Sequence, residues 1–212
     1  MNIKRYPLGE LQANCYLLIQ DKDCILIDPA DDANFLLEEI SRQNLNLVAM
    51  FATHGHFDHV MAVGEIQLSL KVPLYIHEKD LFLIKRLKET AKHFLGYEPH
   101  IISPSIIKYL SKGKFKISRP EDDRPLVENF QILSSPGHTP GGCSFYFPEE
   151  QALFTGDTIF KETVGRTDLS YSSKEDLQQS LQKLLALPEE TIIYPGHGEE
   201  TTIGQEAPLY HF

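Results

Sequence analysis

The chain has 212 residues, 42% of them hydrophobic, which is enough to bury roughly 70% of the unfolded surface in one substantial domain. Its 20 basic and 30 acidic residues give a formal net charge of −10, so no net positive field favours nucleic acid or an anionic membrane. The three cysteines, Cys15, Cys24 and Cys143, are too few and scattered for a disulfide framework, which indicates a cytoplasmic protein.

The beginning of the chain carries a little positive charge but no apolar stretch that could form the core of a signal peptide. No run approaches the length of a transmembrane helix. We therefore expect neither secretion nor a membrane partner.

Strand and helix patterns follow one another from the N-terminal part onward. Apolar runs at 15–19 and 24–27 flank a polar turn and predict a hairpin. Apolar residues then recur with helical spacing over 35–40, and a further apolar run at 47–52 predicts a strand. That strand leads directly into Thr53 and His54.

The stretch from 78 to 125 is the least regular part of the sequence. A helix bearing Leu83, Leu87, Ala91 and Phe94 is predicted to lead into a segment rich in proline and lysine. We expect a helical insert or lid over 78–125 that covers a site or forms a subunit contact.

A second helix is predicted near residue 172. Ser172 and Glu175 have the spacing of a capping box, and an apolar stripe follows them. The stripe consists of Leu177, Leu181, Leu184 and Leu185. We expect this helix to pack on a sheet and to carry no chemistry.

Four predicted strands each end in a short loop that combines glycine with histidine or aspartate. Besides 47–52, the strands are 130–133, 152–154 and 191–194. Ligands bind at the C-terminal ends of strands in open α/β sheets, and glycine permits sharp turns there. The loops are Thr53-His54-Gly55-His56-Phe57-Asp58-His59, Ser135-Pro136-Gly137-His138-Thr139, Gly156-Asp157-Thr158 and Pro195-Gly196-His197-Gly198.

These loops supply seven nitrogen and oxygen donors, which suit two metal ions that share a carboxylate, because one tetrahedral zinc takes about four ligands. Two adjacent metals indicate hydrolysis. His54 and His56 alternate, so both rings leave an extended stretch on the same side toward one metal, while Asp58 and His59 continue toward a second. The other histidines are expected in surface or core packing: His77, His93, His100 and His211.

The His-x-His-x-Asp-His run, followed by a histidine, an aspartate and a final histidine, resembles the metallo-β-lactamase superfamily over nearly the whole chain. The resemblance implies an α/β fold, a four-layer αββα sandwich, as a single domain over 1–212. It also implies two divalent metal ions, with zinc expected and iron or manganese as alternatives. The implied ligands are His54, His56 and His138 for the first ion, Asp58, His59 and His197 for the second, and Asp157 as the bridge.

Two branches of the superfamily fit less well. True β-lactamases lack an aspartate at the position of Asp157, and diiron flavoproteins have glutamate in place of His56. The segments 155–158 and 165–169 resemble glyoxalase II in its short bacterial form, and also the persulfide dioxygenases. Within them, Arg166 and Asp168 either brace the metal loops as a second shell or form a surface ion pair, and the sequence leaves both open.

The glyoxalase II resemblance implies a dinuclear hydrolase of S-acylglutathione or another small thioester. A metal-bridging hydroxide would attack the carbonyl carbon, with Asp58 and Asp157 as the catalytic carboxylates. Long members of that branch carry a C-terminal helical domain that contacts glutathione. Because no such domain follows here, we expect weak glutathione recognition.

Three other functions compete with thioester hydrolysis. The principal rival is a mononuclear iron persulfide dioxygenase, in which His54, His138 and Asp157 would supply the facial triad. A metal-dependent nuclease is disfavoured by the acidic balance, and a non-catalytic binding module by the complete donor set. The oligomeric state stays open.

Overall fold

The computed structural model of the protein describes residues 1–118 and 125–210. Within these residues, two six-stranded sheets form the centre of the fold. The strands of the first sheet, hydrogen-bonded in chain order, are β1 (Asn2–Leu8), β2 (Ala13–Gln20), β3 (Asp23–Ile27), β4 (Asn46–Phe51), β5 (Leu74–Ile76) and β6 (Ile107–Tyr109).

The second sheet is formed by the C-terminal half of the chain. Its strands are β7 (Gly113–Ser118), β8 (Pro125–Ser134), β9 (Cys143–Phe147), β10 (Ala152–Gly156), β13 (Ile192–Pro195) and β14 (Thr201–Thr202). They pair in the order β14-β13-β10-β9-β8-β7. A separate short hairpin consists of β11 (Ile159–Phe160) and β12 (Thr163–Val164).

The helices of the described residues are α1 (Ala33–Arg42), α2 (Val63–Ser69), α3 (Leu81–Lys85), α4 (Leu87–Leu95), α5 (Lys174–Leu184) and α6 (Ile203–Glu206). Among them, none combines the length and apolar composition that a membrane crossing requires. Short 3-10 turns cover Phe57–His59, Glu78–Asp80 and Ala207–Leu209.

Three apolar layers hold these elements together as a four-layer αββα sandwich. The outer face of the first sheet packs on α1, α2 and α4, the two sheets pack on each other, and the outer face of the second sheet packs on α5 and α6. Strands buried on both faces read as continuous apolar runs. In β3, for example, Leu26 faces the helices while Ile25 and Ile27 face the second sheet. The four-layer expectation is confirmed.

The predicted strands and the hairpin of β2 and β3 are confirmed, but two helix details are wrong. The helix expected through Leu83 and Phe94 is broken at Arg86, so α3 and α4 are separate and Phe94 is exposed. α5 begins one residue later than expected, because Ser173 and not Ser172 is the N-cap whose side chain accepts the Asp176 N–H.

The insert expected over 78–125 is helical only as far as α4. It then supplies β6 and β7, which are edge strands of the two sheets. Positions 119–124 of this prediction lie outside the described residues.

Backbone hydrogen bonds join the loops of the two sheets at one edge. The Cys143 N–H donates to the Thr53 carbonyl at 2.8 Å, and the Asn14 N–H donates to the Gly196 carbonyl at 2.7 Å. The Gly196 N–H in turn donates to the Gly156 carbonyl at 2.9 Å. The loop after β4 is therefore tied to the start of β9, and the loop after β13 is tied both to β2 and to the end of β10.

Candidate metal centre

The structure brings all seven predicted donor side chains together at this edge, in two groups. The first group is His54, His56, His138 and Asp157, and the second is Asp58, His59 and His197. Within each group the donor atoms lie within 4.8 Å of one another. Ligand atoms of a tetrahedral zinc are separated by about 3.3 Å, given metal–ligand distances of about 2.0–2.1 Å. Both groups are close to that spacing.

Asp157 lies between the two groups and reaches members of both. Its Oδ2 is 3.5 Å from His138 Nε2, and its Oδ1 is 3.4 Å from His59 Nε2. In the second group, Asp58 Oδ2 is 3.3 Å from His197 Nε2 and 3.7 Å from His59 Nε2. One carboxylate is thus placed to serve two cations.

Asp28 supports one ring of each group from behind. Its Oδ2 lies 3.0 Å from His59 Nδ1 and accepts the Thr53 hydroxyl hydrogen at 2.7 Å. The Thr53 oxygen, having donated its own hydrogen, is 3.1 Å from His54 Nδ1 and accepts from it. Both rings therefore carry a hydrogen on Nδ1, and Nε2 is the nitrogen that each ring directs inward.

The remaining three rings are held in the same manner. His138 Nδ1 donates to the Arg166 carbonyl at 3.0 Å, and His197 Nδ1 donates to the Leu11 carbonyl at 3.1 Å. His56 has the opposite orientation: its Nε2 is 2.7 Å from the Tyr171 hydroxyl, and its Nδ1 points inward. All five rings thus hold an outward nitrogen against an oxygen, the arrangement found for metal-binding histidines.

The inward atoms do not all have hydrogen-bond partners. His56 Nδ1 lies 3.0 Å from both His54 Nε2 and His138 Nε2, so the inward nitrogens of three rings converge. Among the described residues, the buried His59 Nε2 and Asp157 Oδ1 have no hydrogen-bond partner. Orphaned buried polar atoms are costly, and convergent imidazole and carboxylate donors suit a divalent cation. The residues present fit the metal ions that such a centre requires.

The two groups differ in their charge state at neutral pH. Burial lowers the pKa of His54 well below its ordinary value, and burial together with the neighbouring His138 lowers the pKa of His56 to about 3. Both rings are therefore neutral at pH 7. A cation can bind them without displacing a proton.

The second group holds protons. Burial lowers the pKa of His59, but the charges of Asp58, Asp157 and Asp28 outweigh it and raise the pKa to about 10. His197 follows the same pattern, with burial opposed by its contact with Asp58, and its pKa is also raised. For Asp58, burial raises the pKa, but the neighbouring His59 and His197 outweigh burial and hold the pKa of this carboxyl well below its usual range. The protons on His59 and His197 thus supply the positive charge that a metal ion would supply when bound.

Two glycines permit the close approach of these loops. A Cβ on Gly196 would lie 2.2 Å from Asp157 Oδ1 and 2.8 Å from His59 Cε1. Gly156 has φ +50°, and a Cβ there would meet the Thr53 hydroxyl at 2.2 Å. A larger residue at Gly196 would displace donor side chains, and one at Gly156 would displace Thr53, which supports His54.

Asp80 is a positioning residue that the sequence did not indicate. Its fully buried carboxylate accepts the Gly55 N–H at 2.9 Å, the Thr139 hydroxyl at 2.7 Å and the Gly141 N–H at 2.6 Å. Burial raises its pKa, although these donors oppose the shift. One carboxylate therefore joins the loop of His54 to the loop of His138.

The segment around Arg166 contacts the centre through its backbone. The Arg166 guanidinium forms an exposed pair with Asp168 at 2.6 and 2.8 Å, while the Arg166 carbonyl holds His138. Ser172 Oγ donates to the His138 carbonyl at 2.7 Å, so this segment and the His138 loop are tied at two points. A role of the Arg166 and Asp168 side chains in bracing the metals stays a prediction.

Among the residues that the structure describes, the other histidines do not join the cluster. His77 caps a 3-10 turn by accepting the Lys79 N–H, and His93 and His100 are exposed. His211 lies outside the described residues. The cysteines Cys15, Cys24 and Cys143 are free and buried.

A cleft of about 270 Å³ opens over the first group and Asp58. Its floor carries His56, Asp58, His138 and Asp157, and its walls come from the β1–β2 turn, from α4 and from the segment 166–171. A larger groove of about 790 Å³ lies between the second sheet and α5, and it contains none of the seven donors. Chemistry at the cluster therefore takes place in the smaller cleft.

Comparisons with known proteins agree with this geometry. Residues 8–197 match the family model of the metallo-beta-lactamase superfamily. Hydroxyacylglutathione hydrolase GloC of Haemophilus influenzae is 39% identical over 211 residues, covering 97% of this chain and 95% of the relative.

Two solved structures are similar in both fold and sequence. The crystal structure of TTHA1623 in a di-iron-bound form has a TM-score of 0.85 and 38% identity, with 96% of each chain covered. The crystal structure of BLEG-1 B3 metallo-beta-lactamase has a TM-score of 0.84 and 33% identity, covering 98% of this chain and 97% of the other.

The contact between Tyr171 and His56 predicts an effect on metal affinity. Tyr171→Phe removes the oxygen behind the His56 ring but keeps the ring that packs against Phe82 at 5.3 Å. We expect the first metal equivalent to bind about tenfold more weakly, as is usual when the hydrogen-bond partner of a metal-binding histidine is lost. Competition with a chelator measures this. Tyr6→Phe, which removes a hydroxyl bound to Glu39, is the matched control, and equal affinities in both variants would contradict the assignment.

The charge states predict unequal proton release by the two metal equivalents. Because His59 keeps its proton up to a pKa of about 10, the second group must lose protons on binding, whereas His54 and His56 are already neutral. The affinity for the second equivalent should fall more steeply as the pH is lowered from 8 to 6. Calorimetry of metal-free protein in two buffers of different ionisation enthalpy counts the protons. Equal release by both equivalents would refute this reading.

Proposed function

The chain belongs to the metallo-β-lactamase superfamily, and from this premise we propose that it is a dinuclear metal-dependent hydrolase of S-acylglutathione or another small thioester. The observation that carries the proposal is the set of five imidazole rings whose outward nitrogens are held by oxygens, with two carboxylates between the inward nitrogens. The likeness to hydroxyacylglutathione hydrolase GloC supports the thioester.

In this proposal His54, His56 and His138 hold the first ion, Asp58, His59 and His197 hold the second, and Asp157 bridges them. Imidazole and carboxylate donors accept zinc, iron and manganese alike. Zinc is the proposed ion, and the di-iron form of TTHA1623 supports iron as its alternative.

When bound, divalent ions lower the pKa of a water molecule and polarise a substrate carbonyl. The residues of the chain prepare this chemistry. Asp58 stays ionised because its pKa is held low, and Asp157 spans both groups, so these are the proposed catalytic carboxylates. Neither serine nor cysteine is found among the described residues that line the cleft, and the proposed attacking group is water.

Two other reactions are the alternatives against which thioester hydrolysis is assayed. A persulfide dioxygenase would use one iron on His54, His138 and Asp157. A β-lactam is suggested by the likeness to BLEG-1, and Asp157 at the bridging position argues against it. A nuclease is disfavoured by the formal charge of −10. The single domain over 1–212 and a cytoplasmic location stay predictions.

The dinuclear centre predicts metal content and the effect of donor substitutions. Elemental analysis after reconstitution should find two metals per chain. His54→Ala, His138→Ala and Asp157→Ala should each lower turnover about a thousandfold or more, because the activated water is lost. His100→Ala, which removes an exposed histidine outside the cluster, should have no effect. A firm limit of one metal per chain would favour the dioxygenase.

The choice of reaction is tested by supplying three substrates to the same metal-loaded protein. We expect hydrolysis of S-D-lactoylglutathione with a high KM, since poor binding of the remote parts of a substrate appears in KM and not in kcat. Glutathione persulfide in an oxygen electrode and a chromogenic cephalosporin are the counter-substrates. Rapid oxygen uptake without thioester cleavage, or β-lactam turnover above thioester turnover, would overturn the assignment.

A further inference from the structure

The walls of the cleft differ in chemistry from its floor. The floor consists of the metal-binding donors, whereas the walls present the side chains of Leu11, Phe57, Phe94, Leu169 and the ring of Tyr171. Apolar surface that lines a cleft is the usual means by which a site binds the uncharged parts of a small ligand.

Two of these wall residues are exposed to solvent. Phe94 is 50% exposed and Leu11 42% exposed, and they are among six large hydrophobic side chains exposed in the described residues. The Phe94 ring stacks on Phe57 at 6.0 Å and 22°, so α4 is fixed against the loop that carries the first donors. An exposed apolar pair held in place over a reactive floor indicates a ligand that covers it.

The charge on a thioester substrate decides whether the walls of the cleft can bind it. A glutathione conjugate carries two carboxylates and an ammonium group far from its thioester, so these groups would meet the walls and not the floor. Among the described lining residues the single cation is Arg166, and Asp168 neutralises it through two contacts at 2.6 and 2.8 Å. The Thr90 hydroxyl on the same wall donates to the Arg86 carbonyl of its own helix. The walls offer little to a carboxylate.

From these observations we propose that the cleft is a binding site for an uncharged apolar arm, so that the preferred substrates are small aliphatic thioesters and not glutathione conjugates. This inference rests on the proposed thioester hydrolysis. A volume of about 270 Å³ equals about nine water molecules at about 30 Å³ each, which is room for a chain of several methylene groups. The arm belongs to either the acyl or the thiol half of the ester, and the chemistry of the wall is the same for both.

The test uses metal-loaded protein and two substrate series. The first joins acetyl, butanoyl and hexanoyl groups to N-acetylcysteamine, and the second joins acetate to ethanethiol, butanethiol and hexanethiol. We expect kcat/KM to rise about twofold to fourfold per methylene in the series whose arm occupies the cleft, the size set by transfer of a methylene from water. S-acetylglutathione should be hydrolysed no better than S-acetyl-N-acetylcysteamine. No rise in either series, or a preference above tenfold for the glutathione ester, overturns the proposal.

Substitutions in the cleft, compared with substitutions at exposed control positions, show where the apolar arm binds. Phe94→Ala and Leu11→Ala should each flatten the rise with chain length, whereas Tyr109→Ala and Leu68→Ala, at exposed positions away from the cleft, should keep it. A rise that persists unchanged in both cleft variants would show that the arm binds elsewhere and would overturn the assignment.

A binding measurement separates this inference from the proposed reaction. Calorimetry compares the S-hexyl and S-ethyl thioethers of N-acetylcysteamine, which cannot be hydrolysed. We expect tighter binding and a more negative heat-capacity change for the hexyl compound, and loss of both differences in Phe94→Ala. If no thioester is hydrolysed but this result holds, the proposed function fails and the apolar site stands. Equal binding of the two thioethers overturns the apolar site even in an active hydrolase.

Discussion

The convergence of buried polar atoms at one loop edge is the constraint on which the rest of the structure depends. Oxygens hold the outward nitrogens of His54, His56 and His138, and the inward His56 Nδ1 lies 3.0 Å from both His54 Nε2 and His138 Nε2. A divalent cation among these nitrogens would accept a lone pair from each of them. The second group carries positive charge without a cation, because His59 and His197 hold protons. The loop edge is therefore built for positive charge.

Buried hydrogen bonds keep these converging atoms together. Asp28 and Asp80 are fully buried carboxylates, and each joins separate parts of the chain: Asp28 connects β3 with Thr53 and His59, and Asp80 connects the loop of Gly55 with that of Thr139. Buried carboxylates are tolerated because every oxygen meets donors. Hydrogen bonds outside the cluster thus offset the unfavourable free energy of burying its polar atoms together.

The segment between β5 and β6 connects the donor loops with the wall of the cleft. It supplies Asp80 to the donor loops and, a few turns later, Phe94 to the wall of the cleft. The break at Arg86 divides its helical part into α3 and α4. One short stretch of chain therefore both positions the donor loops on the floor of the cleft and shapes the wall above them.

The sequence by itself determined the positions of the seven donors and the strands that precede them, because both depend on local spacing: alternation in strands, and glycine beside histidine or aspartate at strand ends. The four-layer sandwich followed from the family resemblance that this donor pattern carries. The oxygens behind the rings were decided by the tertiary structure alone. The carbonyls of Leu11 and Arg166 have no side-chain signature, and Tyr171 lies 115 positions from His56. Asp80 resembles any polar residue before a helix until folding buries it. Only packing of the two sheets brings such distant groups within hydrogen-bond distance, and no local pattern encodes that contact.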